Sequence, residues 1–241
     1  MTLNSTRART AVLFLPLLFL LACGGPSPRE GVTPTQAHMY AHYDRASEMH
    51  YALVTGDLER ARQAADWIAA HPDRPDLDLG DSHHENAVRA FARLAANSAH
   101  LQAASVAAAR MASSCGDCHI EQGVNPRFLM GTATPGGDGP RAEMARHVWA
   151  AERMWVGLLG PSDAAWVEGA RGMEGGWLDT QEVLVDPGDR QRIREMVRHI
   201  YDLAGRAETT TSVQDRAQIY GEFLNTCADC HRLTLARTSG Q

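Results

Sequence analysis

The chain contains no lysine. Its 23 basic side chains are all arginine, set against 29 acidic ones, for a formal net charge of −6. The missing lysine is a matter of composition and points to no function by itself. The mildly acidic balance lacks the basic footprint that nucleic-acid binding needs, so no nucleic-acid partner is expected. Alternating apolar strand patterns are nearly absent; "QEVLVD" at 181–186 is the best candidate, and it is short. A β or α/β fold is therefore excluded, while a hydrophobic content of 44% is ample for helical cores. No Ser-His-Asp order, phosphate-binding loop or second metal cluster is visible. Cysteine is scarce too: five residues, four of them inside two copies of one pentapeptide.

The fifth is Cys23. It closes an N-terminal segment with Arg7 and Arg9 as a positive flank and an apolar run, 11–22, too short to span a bilayer comfortably. Residues 1–22 read as an export signal. The run ends "LLAC", which resembles the bacterial lipoprotein box, and that resemblance implies lipidation at Cys23. Residues 23–33 then form a Pro/Gly-rich lipidated tether. No Asp follows Cys23, which favours the outer membrane, with the protein anchored through its lipid on the periplasmic side.

The remainder repeats itself. "MYAHYDRASEMHYAL" at 39–53 aligns with "MARHVWAAERMWVGL" at 144–158 at a constant offset of 105. Met39, His42, Ala46, Met49 and Leu53 meet Met144, His147, Ala151, Met154 and Leu158. Spacings of three and four place all five on one helical face. Helices are predicted over 34–54, 57–71, 83–97 and 99–120, then 140–158, 162–172, 188–206 and 211–232. Asn97-Ser98 is the only weak point between the third and fourth, which could also run on as one helix. The expectation is all-α: two tandem antiparallel four-helix-bundle-like modules, 34–120 and 140–233. A Gly/Pro-rich linker at 121–139 joins them, and 234–241 is a tail.

Each module closes on C-x-x-C-H: Cys115, Cys118 and His119 in "SSCGDCHIEQG", and Cys227, Cys230 and His231 in "NTCADCHRL". This is the attachment signature of c-type haem. Two thiols three positions apart on a helical turn can meet the two vinyl groups of the porphyrin, and the following imidazole faces the iron. A four-Cys zinc site would have to join motifs 112 residues apart and would leave both histidines unexplained. A thioredoxin-like pair lacks its βαβ context, and cysteines so close within a helix make poor disulfide staples.

With these residues in place, the chain resembles a di-haem c-type cytochrome whose halves are similar to the four-helix-bundle cytochrome c′ and c-556 class. The resemblance implies two covalent haems c, with Cys115, Cys118, Cys227 and Cys230 as attachment residues and His119 and His231 as proximal ligands. In that class the first helix fills the distal side, which here carries the repeated stripe. His42 and His147 are the candidate distal ligands because the histidine recurs in both halves. Met49 and Met154 are the alternatives, then Met39 and Met144, and an open iron is the remaining case. The other histidines, among them His38, His50, His71, His83 and His84, do not pair across the halves. His83-His84 is expected in an exposed loop, and Trp149, Trp155 and Trp166 around the second haem.

The expected function is electron transfer among periplasmic or outer-membrane redox partner proteins, with no catalytic residues. The alternatives are a di-haem peroxidase-like enzyme and a gas-binding or haem-sensing module, both of which need an open iron.

Overall fold

The computed structural model describes residues 31–71, 74, 76–77, 82–128, 133–174 and 186–235. The export segment, Cys23 and "QEVLV" at 181–185 lie outside these residues. Eight helices account for the fold: α1 (Pro34–Thr55), α2 (Leu58–Ala70), α3 (Ser82–Ala96), α4 (Leu101–Glu121), α5 (Pro140–Leu159), α6 (Asp163–Glu174), α7 (Pro187–Thr209) and α8 (Val213–Leu235). No strand occurs among the described residues, and their fold is all-α. No helix among them is long and apolar enough to cross a membrane.

The boundaries follow from local chemistry. Gly56, at φ +80°, makes the left-handed turn between α1 and α2. Asp57 then caps α2, accepting from the Arg60 amide at 3.0 Å. Pro140 and Pro187 open α5 and α7, where a missing N–H costs nothing. Ser162 and Ser212 accept from the Ala165 and Asp215 amides at 3.2 and 3.3 Å, starting α6 and α8. The chain does break at Asn97-Ser98. Asn97 Nδ2 and Ser98 Oγ donate back to the carbonyls of Arg93 and Leu94, and Arg62 Nε takes the Ser98 carbonyl at 2.8 Å. These bonds end α3 and leave α4 to start afresh.

Helices adjacent in sequence are adjacent in space within each half. α1 packs on α2, α2 on α3, α3 on α4, and α4 returns to α1; α5 to α8 follow the same order. The halves are joined as well. α4 packs on α8 and α5, and α1 on α8, so the main core draws on both halves. Small residues permit this. Ala104, Ala107, Ala108, Ala109 and Ala112 are buried along α4. At the α4–α8 crossing a Cβ on Gly221 would stand 2.8 Å from the Val106 Cα, closer than real side chains come. The repeated stripe turns inward in both halves: Ala46, Met49 and Leu53 are buried, as are Ala151, Met154 and Leu158.

Candidate haem-attachment sites and a histidine cluster

Cys115, Cys118 and His119 lie on the last turns of α4, and Cys227, Cys230 and His231 near the end of α8. A spacing of three puts each cysteine pair on one face of its helix. All four thiols are free. Burial pushes the Cys115 and Cys227 thiols up to about 12. The four cysteines do not converge: among the described residues the one group of three or more metal-ligating side chains is His38, His42 and His71. The four-Cys arrangement considered from sequence is thus not formed.

The two motif histidines each lie near a carbonyl of the other half's first helix, but only His119 closes a hydrogen bond. His119 Nδ1 lies 2.7 Å from the carbonyl oxygen of Leu159, at the end of α5. A carbonyl only accepts, so Nδ1 carries the proton and Nε2 keeps its lone pair. Burial lowers the pKa of His231, and the Val54 carbonyl at the end of α1 partly offsets this. His231 Nδ1 is buried and has no hydrogen-bond partner among the described residues. Val54 and Leu159 are equivalent positions of the repeat, 105 apart, as His119 and His231 are 112 apart. Each motif therefore rests on the first helix of the other half. Gly116 adds to the contact: a Cβ there would overlap the Leu158 carbonyl oxygen. On the other side Gly56 abuts Ala228 and Arg232 of α8. Such reciprocal contacts are what a two-fold relation between the halves produces.

His50 and Trp155 are also equivalent positions, and their rings stack at 5.0 Å and 15°. Tyr220 completes the group. Its hydroxyl donates to the Ala151 carbonyl at 2.6 Å and accepts from His50 Nε2 at 2.7 Å. Burial pushes His50 down to about 4, so it is neutral near pH 7. Trp155 therefore belongs to the contact between halves. Trp166, fully buried, donates from Nε1 to the Ala207 carbonyl at 2.8 Å.

His42 and His147 share one property: each has a buried Nε2 with no hydrogen-bond partner among the described residues. A buried, unpaired imidazole nitrogen is costly unless something else takes it up. Their neighbours differ. His147 is lowered by burial, with Glu143 raising it and Arg146 and His231 lowering it, so it stands within electrostatic reach of its own half's motif histidine. Beside it Met144, Ile193, Met196, Val197 and Leu233 form a separate apolar group around Cys230. His42 is pushed down to about 3, by burial first and then by His38 and His71. Its ring is 4.5 Å from His38, 5.0 Å from His71, and edge-on to Trp67 at 5.7 Å. Met49 and Met154 are fully buried in the main core, and Met39 is exposed.

Sequence reasoning passed over His38 and His71. His38 and His42 stand four apart on α1, which was legible. His71 reaches them because α1 and α2 are antiparallel about Gly56, and residues 42 and 71 lie almost equally far from that turn. His83 and His84 are placed in the first turn of α3, not in a loop, and His84 Nε2 meets the Glu121 carboxylate at the end of α4.

No family model, curated protein or solved structure matches this chain.

Proposed function

We propose that this protein is an exported, lipid-anchored di-haem c-type cytochrome that passes electrons between redox partner proteins on the periplasmic side of the membrane. In this reading each half is a four-helix module of the cytochrome c′ kind. The observation that carries the proposal is the duplicated C-x-x-C-H late on α4 and α8, each helix packed against the first helix of the other half, with His119 Nδ1 held by the Leu159 carbonyl.

The residues fit the group. Cys115 and Cys118, and Cys227 and Cys230, would hold the porphyrins by thioether bonds. A carbonyl on Nδ1 fixes the ring's tautomer and orientation and strengthens Nε2 as a ligand. The apolar side chains around Cys230 would exclude water from the second site. His147, with its unpaired Nε2, is the distal donor of the second half. His42 is its counterpart by position in the first, although its neighbours give it a second claimant. Bound haem supplies a one-electron couple whose potential depends on the axial ligands.

Mass spectrometry of the denatured protein tests the proposal. Two haem masses are expected on the wild-type chain, and one after replacing Cys115 and Cys118, or Cys227 and Cys230, by Ala. A wild-type chain without covalent haem would refute it.

A further inference from the structure

The two halves match at His42 and His147, but nothing in the repeat accounts for His38 and His71. The position equivalent to His38 is Glu143, paired with Arg146. We propose that His38, His42 and His71 form a three-imidazole site for a divalent transition-metal ion of the zinc class, and that His42 serves this ion. The inference does not depend on haem being bound.

The geometry is close to what such an ion needs. One ligating nitrogen from each ring lies within 4.8 Å of the others. Bond lengths of 2.0–2.1 Å in a tetrahedral site require separations of about 3.3 Å. Ring rotation and small side-chain movements can supply the difference. Two of the three rings come from one face of α1, a rigid base, and the third from the residue that ends α2. His38 is buried, and His42 carries the unpaired buried Nε2. Trp67 stacks on His71 at 4.2 Å and 29°, which limits that ring's freedom.

The charges nearby act in both directions. Arg74 and Arg89 lower the imidazoles and so act against a cation, although each is paired with a carboxylate. Arg74 forks onto Asp76 at 2.9 and 2.7 Å, and Arg89 bonds Glu85 at 2.6 Å. The Asp76 carboxylate acts directly on His38, in the sense that favours positive charge. All three imidazoles are lowered by burial and so are neutral near pH 7, the form that ligates. Three neutral imidazoles suit zinc(II) and its borderline neighbours better than calcium or magnesium, which take oxygen. Three protein ligands leave a fourth position for water or a small anion.

The test is dialysis of the full mature chain against zinc(II), with zinc and iron counted on the same sample. About one tightly held zinc per chain is expected. His38→Gln and His71→Gln should each weaken it at least ~100-fold, since even outer-shell changes cost 10–100-fold. His199→Gln, on the exposed face of α7, should leave it unchanged, and circular dichroism would show that all variants fold. Zinc retained equally by every variant, or no zinc at all, overturns the proposal. So does an iron spin-state change on His42→Gln with zinc binding untouched, which would give His42 to the haem. A chain that holds zinc but no iron would leave this inference standing and remove the cytochrome reading.

Discussion

His119 of α4 donates to the carbonyl of Leu159, the last residue of α5, across the boundary between the two halves. A residue expected to govern the first site is thus positioned by the second half. The halves are not independent beads on a linker, and damage at this boundary should be felt at the motifs.

Gly116 is the place to test this. In Gly116→Ala the new methyl overlaps the Leu158 carbonyl and must push the end of α5 away from His119. Overpacking of this kind costs about 1–3 kcal/mol. Ala's better helix propensity returns about 1 kcal/mol, so thermal unfolding should show a net loss. In the proposed holoprotein, absorption of the haem on the first motif should shift more than that of the second. Ala228→Gly, at the equivalent place in α8, should cost about 2 kcal/mol, from helix propensity and the loss of a fully buried methyl.

Tyr220 ties α8 to both α1 and α5. Tyr220→Phe removes the hydroxyl shared by His50 Nε2 and the Ala151 carbonyl, leaving a buried donor and a buried acceptor unmet. A loss of about 1–3 kcal/mol is expected in denaturant unfolding. A cost near zero would mean that water takes over both bonds.

Acid should destabilise the protein through His50. Its folded pKa is about 4, against 6.5 when unfolded. Above pH 6.5 the ring is neutral in both states and contributes no pH dependence. As pH falls below that value the unfolded chain binds a proton that the folded chain refuses, and stability declines until about pH 4. The loss attributable to this group is on the order of 3 kcal/mol. His50→Gln should flatten that part of the stability curve and leave its slope above pH 7 unchanged, although the lost bond and stack lower stability at every pH.

If the protein carries the two haems proposed above, the second should depend on His147. His147→Ala should turn half of the iron high-spin and able to bind carbon monoxide, whereas Met154→Leu should leave the spin state alone. Under the trihistidine proposal, His42→Ala should not change the spin state of the remaining half. A thioether-to-iron charge-transfer band in the wild type, lost on replacing Met154, would transfer the ligand role to that residue.

The sequence by itself determined the eight helices, the duplication and the two C-x-x-C-H sites. Those signals are local. A stripe with spacings of three and four, a capping Asp57, a proline at the head of α5 or α7 and a cysteine pair one turn apart all act within a few residues of themselves. The break at Asn97-Ser98 was undecided in the sequence because both residues tolerate a helix. Arg62, far away in the chain, helps settle it by taking the Ser98 carbonyl.

Only the tertiary structure decided the partners. An apolar stripe states that a face is buried, not which face it meets. The crossing of α4 with α8, and the placing of each motif against the other half, depend on small residues such as Gly116 and Gly221 that allow backbones to approach. His71 joins His38 and His42 for a similar reason. The α1–α2 hairpin sets which residues face each other, and Trp67 turns the last imidazole toward the other two.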